Sequence, residues 1–172
     1  IRYSDHVDGN GDAFFAHACK AGLEGIVSKL RREPYQAGRS RDWVKIKCVQ
    51  RQEFVIGGFT DPEGSRVGIG ALRIGYYEGS HLIFSGKVGT GFTHKVAIDL
   101  RRKLERIEQT RCPFEPPPAG WLGRHAHWVK PQLVGEVEFT EWTGDGKIRH
   151  PSFQGLRADK KATDVVREMP AA

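Results

Sequence analysis

From Gln52 onward, strand-like and helix-like segments follow one another in an order that leaves few folds open. Three short apolar runs come first, separated by glycine-containing loops, and they predict a three-stranded meander at 53–59, 70–77 and 82–88. Helical spacing follows over 93–110, where one apolar stripe is formed by Val96, Leu100, Leu104 and Ile107. After a proline-rich loop, two further strands are predicted at about 126–131 and 133–142.

Three strands, a helix and two strands are the element order of an OB-fold, a five-stranded Greek-key barrel that commonly binds nucleic acid. An SH3-like barrel gives a similar order and stays open as an alternative. Upstream, a short helix is predicted over 11–21 and strands over 25–30 and 43–49, which is too little for a complete sheet. We therefore predict a mainly β protein with some helix. A partial α/β segment at 1–50, which either packs on another domain or extends the next one, precedes a barrel domain at 51–172.

The net charge points mildly to a polyanionic partner. The 172 residues carry a formal net charge of +6, and the pI is near 9.4. A positive excess spread along the chain favours nucleic acid, although many proteins with other partners share it. No apolar run approaches the length of a membrane span, and the N-terminus has no basic and then apolar signal pattern. We expect a cytoplasmic protein with no membrane partner. The first residue is not Met, which is consistent with a fragment.

The cysteines and histidines give little sign of a metal or disulfide framework. Cys19, Cys48 and Cys112 are odd in number, widely spaced and never part of a Cys-x-x-Cys pair. This argues against a zinc ribbon and against a disulfide scaffold, and it fits a reducing compartment. His125 and His127 can be drawn as metal ligands, but strand residues two apart more often simply share a face.

Two lysines stand two residues apart in the predicted strand 43–49. Lys45 and Lys47 therefore point to one face, with roughly 7 Å between them. Like charges held that close are unfavourable unless an anion lies between them, and lysine pairs well with phosphate. A solvated edge strand with protective lysines is an equal alternative. Glu24 stands just before Gly25, where backbone or ligand can approach closely, and it is either a ligand for a hard cation or a turn residue.

A glycine-dense segment surrounds Lys87 and Thr90. Gly86, Gly89 and Gly91 either form a backbone nest for a phosphate or a bulged turn between strand and helix. No Gly-Lys-Ser/Thr follows in the frame that a nucleotide P-loop needs.

The C-terminal segment carries a second set of candidate phosphate contacts. Arg157, Asp159 and Lys160 combine a guanidinium fork, a carboxylate and a point charge, which suits a polyphosphate. The alternative is an ordinary helix start with Asp159 in its first turn.

Taken in order, these segments resemble the later nucleotidyltransferase motifs of ATP-dependent DNA ligases, in particular the ligase domain of the bacterial non-homologous end-joining enzymes of the ligase D type. The resemblance begins with Glu24-Gly-Ile-Val-Ser-Lys29 and Trp43-Val-Lys-Ile-Lys-Cys48. It continues through five further runs and so covers nearly the whole chain: 34–40, 52–58, 86–92, 134–143 and 149–160. Each run alone is weak, but seven runs in the same order are strong.

The resemblance implies a role for each matching residue. Glu24 would hold Mg²⁺ or Mn²⁺, and Lys45 and Lys47 would contact the α-phosphate of ATP, with Arg39 assisting. The leaving β,γ-pyrophosphate would be arranged by Arg157, Asp159 and Lys160, and the DNA backbone would be contacted by Lys87 and Thr90. The implied partners are double-stranded DNA with nicks or ends and a Ku-type end-binding protein, and the implied location is the nucleoid. Ala158 departs from the family, whose members often carry an acidic residue there.

In that family a lysine in a Lys-x-Asp-Gly motif forms a covalent lysyl-AMP, and this chain has no such motif. Its nearest imitation, His6-Val-Asp-Gly9, has histidine at the nucleophile position and lies too close to Glu24, so we interpret it as a turn. The prediction is the C-terminal part of a DNA ligase, inactive alone, with residues 1–50 as the end of the adenylation domain. The alternatives are a non-catalytic OB-type nucleic-acid-binding module and a fragment of an RNA ligase or mRNA-capping enzyme.

Overall fold

A computed structural model of the chain describes residues 6–34, 37, 38 and 40–168. The chain divides into two compact units, with the boundary between Val49 and Gln50. None of the described helices combines the length and apolar character that crossing a bilayer requires.

The first unit contains one helix and one antiparallel hairpin. Helix α1 spans Gly11–Lys20, and strands β1 (Gly25–Lys29) and β2 (Trp43–Lys47) pair along their whole length. The helix ends where Gly22 adopts a left-handed φ of 71° and Leu23 N–H donates to Ala18 O at 3.0 Å. All three predicted elements of this segment are confirmed. Gly25 allows the strands to meet, since a Cβ there would lie 2.1 Å from Ile46 O.

A disulfide joins Cys19 to Cys48, so the prediction against disulfides is wrong for this pair. Cys19 lies in the last turn of α1 and Cys48 directly follows β2, and their Cα atoms are 5.4 Å apart. Their separation of 29 residues hid this contact, because the hairpin that brings them together is non-local. Cys112 is a free thiol.

The second unit is built on one curved antiparallel sheet. Its strands are β3 (Gln50–Thr60), β4 (Leu72–Glu78), β5 (His81–Val88), β6 (Glu108–Gln109), β7 (Ala126–Phe139) and β10 (Ser152–Leu156). They pair in the order β10-β7-β3-β4-β5, with β6 added beside β7. A separate small hairpin is formed by β8 (Glu141–Trp142) and β9 (Ile148–Arg149). Helix α2 (His94–Glu105) follows β5, and Val96 N–H donates to its N-cap Thr93.

The meander is confirmed, and two other boundaries are corrected. The predicted strands at 126–131 and 133–142 merge into one strand as far as Phe139, β7, which pairs along β3 on both sides of an irregularity. Residues 141 and 142 belong to β8 instead. Its register against β3 jumps from Leu133 to Trp128, and Pro131 lies in the stretch between them that does not pair with β3, which is where a strand tolerates proline. The predicted helix 93–110 ends earlier, at Glu105, because Glu108 and Gln109 pair with β7 instead.

The two ends of the sheet are brought together next to the glycine-dense segment. Phe153 N–H on β10 donates to Thr90 O, two residues beyond β5, at 3.0 Å. Gly91 makes this approach possible, because its φ is +90° and a Cβ there would lie 2.2 Å from Phe153 O. The core inside includes Phe54, Ile56, Leu72 and Ile74 of the strands and Leu100 and Leu104 of α2. Together these features form the predicted OB-type barrel.

Candidate phosphate-binding sites

In the first unit, Glu24 brings the two predicted lysines together. Lys45 Nζ lies 2.7 Å from Glu24 Oε1 and Lys47 Nζ lies 3.5 Å from the same oxygen, so both lysines occupy one face of β2. A backbone hydrogen bond holds Glu24 beside the end of β2, since Cys48 N–H donates to Glu24 O at 2.9 Å. Arg39, which the sequence also placed here, is outside the described residues.

The charge of this cluster is available to a ligand. The hydrogen bond and charge of Lys45, followed by the smaller effect of Lys47, lower the pKa of Glu24 below its ordinary value. Two ammonium groups and one carboxylate leave a net charge of +1. All three side chains are well exposed, and exposed ion pairs of this kind are weak. The lysines can therefore exchange the carboxylate for a phosphate, and the carboxylate can then take a cation.

In the second unit, Arg157 is held by three carboxylates. Its Nε and Nη2 make a forked pair with Asp159 at 3.0 and 2.8 Å, and its Nη1 lies 3.0 Å from Glu53 and 3.3 Å from Glu136. Lys160 Nζ is 3.8 Å from Glu53. The structure thus brings together the three residues predicted near the C-terminus and adds Glu53 and Glu136. The predicted alternative of a helix start is wrong, since Arg157 directly follows strand β10.

The pairing of strands β3 and β7 explains why the two added carboxylates lie together beside Arg157. Glu53 of β3 and Glu136 of β7 are directly opposite in the ladder, where like charges repel. Arg157 offsets this repulsion by bridging both. Sequence reasoning missed the pair because the register of β3 against β7 was unknown. Arg157 also lowers the pKa of Asp159 to about 2, and the carboxylates in turn raise the pKa of Arg157.

The two residues predicted to contact DNA lie in different surroundings. Lys87 is on β5, with its Nζ 4.3 Å from the centre of the Trp121 ring. Thr90 is engaged within the barrel, since its hydroxyl donates to Pro151 O at 3.0 Å and its carbonyl accepts from Phe153 N–H. Thr90 therefore shapes the glycine-dense segment and joins the sheet ends.

His127, one of the two histidines considered as metal ligands, is paired with carboxylates. Both ring nitrogens of His127 face carboxylates, Nδ1 toward Glu108 at 2.8 Å and Nε2 toward Asp61 at 3.0 Å. Within the described part of the chain, no group of three or more His, Cys, Asp or Glu side chains is arranged to hold a metal ion.

A barrel of the OB type, preceded in the same chain by paired lysines, is an arrangement suited to the phosphates of nucleotides and nucleic acids. Residues 65–160, more than half of the chain, match the family model of the ATP dependent DNA ligase C terminal region. The chain belongs to this family, which confirms the resemblance found in the sequence.

Individual relatives agree with the family assignment. The chain is 43% identical over 175 residues to the multifunctional non-homologous end joining protein LigD of Pseudomonas aeruginosa, covering 99% of this chain and 21% of that protein. The crystal structure of the ligase domain from M. tuberculosis LigD superposes with a TM-score of 0.69 at 41% identity, covering 93% of this chain and 52% of that one. A mycobacterial DNA ligase D complexed with ATP and MES gives a TM-score of 0.65 at 39% identity, with the same coverage. The chain thus spans about half of these ligase structures and about a fifth of the LigD protein.

Proposed function

We propose that the chain is the C-terminal part of an ATP-dependent DNA ligase that seals DNA breaks through lysyl-AMP and DNA-adenylate intermediates. The observation that carries this proposal is the Glu24–Lys45–Lys47 cluster in a chain that aligns over 93% of its length with LigD ligase structures. The nucleophilic lysine is not among the 172 residues, since they contain no Lys-x-Asp-Gly. Residues 1–50 would then be the end of the adenylation domain and residues 51–172 the OB-fold DNA-binding domain.

The first cluster would bind the nucleotide. Lys45 and Lys47 would contact the α-phosphate of ATP and stabilise the charge that develops on it during transfer. Glu24 supplies one carboxylate, which fits Mg²⁺ or Mn²⁺, because such ions bind through one or two carboxylates together with substrate phosphates. A bound divalent cation would add charge stabilisation at the phosphate oxygens. Arg39 would assist in holding the nucleotide.

The second cluster would arrange the leaving β,γ-pyrophosphate through Arg157 and Lys160. In the structure Arg157 is already paired, so the pyrophosphate must replace at least part of its bonds to Glu53, Glu136 and Asp159. Asp159 orients the guanidinium from two residues away, because its two oxygens accept from Nε and Nη2 along one edge of that planar group.

The barrel would bind double-stranded DNA with nicks or ends, with Lys87 and Thr90 at the backbone. In the cell the protein would work in the cytoplasm at the nucleoid, together with a Ku-type end-binding protein. A positive net charge of +6 supports a DNA partner but does not select among DNA structures.

The test uses a ligase domain completed with the part of the M. tuberculosis LigD ligase domain that this chain does not cover. Lys45→Ala should slow AMP transfer from α-labelled ATP by about a hundredfold, the scale of losing one preorganised charge donor. Lys29→Ala is the matched control, because Lys29 is also a lysine of the hairpin but lies over the Trp43 ring, 4.0 Å from its centre. Near-normal transfer by Lys45→Ala would remove its assigned role.

The same experiment separates the proposal from a non-catalytic OB module. A completed domain that binds nicked duplex yet takes no label from ATP would favour the module. Label from GTP in place of ATP would favour a capping enzyme.

A further inference from the structure

A cavity of about 670 Å³ opens on the barrel beside β4 and β5 and contains a charged group that the ligase reaction does not explain. Arg73 of β4 lines it and is only 2% exposed. Its Nε and Nη1 are buried, and within the described residues neither has a hydrogen-bond partner. A buried guanidinium with two unpaired donors is costly unless a ligand completes it.

The neighbours of Arg73 add to the positive charge. Lys87 is its direct partner across the β4–β5 ladder, and like charges in that position repel. Both cations lie over the Trp121 ring, Arg73 Cζ at 5.8 Å and Lys87 Nζ at 4.3 Å from its centre. Contacts with an aromatic ring offset part of the cost of a cation, but they do not satisfy its in-plane N–H donors. The arrangement therefore lacks an anion.

The remaining lining leaves the cavity positive. Arg66 and Arg124 also line it, against the carboxylates of Asp61 and Glu63. Asp61 is already paired with Arg101 at 2.5 Å and with His127 at 3.0 Å. Glu63 is thus the carboxylate left to oppose four basic side chains.

The cavity is larger than an isolated phosphate requires and offers an aromatic surface. Trp121 stands on a short 3₁₀ helix, Gly120–Leu122, and is 60% exposed although it lines the cavity. A basic groove with an exposed aromatic ring is how proteins bind single-stranded nucleic acid, since the cations take the backbone and the ring takes a base.

We propose that this cavity binds an unpaired nucleotide at a DNA end, with its phosphate on Arg73 and Lys87 and its base stacked on Trp121. The inference rests on the proposed DNA substrate, but not on the adenylation chemistry. It gives the barrel a preference for breaks that carry a single-stranded tail.

The test measures how tightly the 172-residue chain binds two nicked duplexes. One duplex has blunt ends, and the other carries a short oligothymidine tail at one end. The tailed duplex should bind more tightly by about fivefold to a hundredfold, the range expected for stacking one base. Tryptophan fluorescence should be quenched by the tail, and Trp121→Phe should abolish the quenching while preserving most of the tail preference. Trp121→Ala should abolish both.

Arg73→Met separates binding from folding. It removes an unpaired buried charge, so the melting temperature of the unliganded chain should stay the same or rise, while the tail preference is lost. Arg102→Gln is the matched control, since Arg102 is an exposed arginine of α2 that does not line the cavity, and its tail preference should be unchanged.

Three results would overturn the inference. Equal binding of both duplexes, with no quenching, would remove the nucleotide site and leave the DNA substrate intact. Failure to bind either duplex would instead remove the proposed DNA substrate itself. Quenching of Trp121 by inorganic phosphate alone, with no further effect of the tail, would reduce the cavity to a simple anion site.

Discussion

Arg157 shows how much one side chain of this barrel depends on its neighbours. Its guanidinium contacts Glu53, Glu136 and Asp159, and the first two face each other across the β3–β7 ladder. Removing the arginine would leave the two opposed carboxylates with only the longer contacts of Lys160 to Glu53 and of Arg51 to Glu136, both at 3.8 Å. The residue therefore has a structural part in addition to the pyrophosphate contact proposed for it.

The first prediction concerns the carboxyl group of Asp159. Arg157 holds its pKa at about 2, below the ordinary 3.8, so the pairing stabilises the fold above the ordinary value and is lost as pH falls through about 2. Arg157→Gln should return the pKa of Asp159 toward 3.8, which a carbon-detected NMR titration of the carboxyl group will measure. Arg149→Gln is the control, because Arg149 pairs with Glu141 instead. An unchanged pKa in Arg157→Gln would show that the fork does not form in solution.

At the scale of elements, His127 ties two segments to strand β7. It faces Asp61, just after β3, and Glu108 of β6, and its ring stacks on Phe59 with 4.8 Å between centres. The hydrogen bonds to Asp61 and then to Glu108 raise the pKa of His127 above 6.5. The protonated ring is thus the form that the fold prefers.

The second prediction follows from that preference. A raised pKa in the folded state means that the stabilisation is fully present below the ordinary value of 6.5 and is lost as pH rises through the folded value. We expect the melting temperature to fall over this window above pH 6.5, and His127→Asn to flatten that fall. Thermal unfolding at a series of pH values checks it, with His81→Asn as control, since His81 pairs with the exposed Glu115. A slope that persists in His127→Asn would assign the effect to another group.

The third prediction concerns the Cys19–Cys48 disulfide, which closes a loop around β1 and β2. With a separation of 29 residues, its loss should cost the first unit about 3 to 4 kcal/mol by chain entropy. Cys19→Ser should speed amide hydrogen exchange in β1 and β2, as should reduction of the unmodified chain. Cys112→Ser should leave exchange there unchanged, because Cys112 is a free thiol of the other unit. Equal exchange rates in the Cys19 variant would mean that the bridge adds no stability.

Local patterns predicted what depends on local physics. The stripe containing Leu100 and Leu104 placed α2 against the core, and the spacing of Lys45 and Lys47 placed both on one face. The features that the sequence did not predict depend on contacts between residues that are distant in sequence. The continuity of β7 past Pro131, the Cys19–Cys48 bridge and the burial of Arg73 are all set by pairing partners far along the chain.

At the scale of the whole molecule, part of the basic charge is already paired with carboxylates. The net charge is +6, yet many basic side chains pair with nearby carboxylates, among them Arg51, Arg101, Arg149 and Arg157. These paired side chains are less available to displace counterions from DNA. Binding to duplex DNA should therefore depend on salt only moderately.

The fourth prediction gives that dependence a magnitude. If about four phosphates are contacted, the affinity of the chain for nicked duplex should fall by about a hundredfold between about 50 and 200 mM salt. Fluorescence anisotropy at several salt concentrations measures the slope of log affinity against log salt concentration. Lys87→Gln should reduce that slope by about one, which corresponds to the loss of one phosphate contact. A slope near zero would contradict DNA binding through the phosphate backbone.

The three carboxylates around Arg157 determine how a phosphate can bind to that guanidinium. An incoming phosphate does not find an unpaired guanidinium. It must replace carboxylates that already contact Arg157. Binding there is an exchange of one anion for another, so few solution counterions are released on either side. Occupancy of Arg157 by a phosphate should consequently respond much less to ionic strength than DNA binding does. The proposed pyrophosphate contact would then persist at salt concentrations that weaken the proposed binding of DNA by the same barrel.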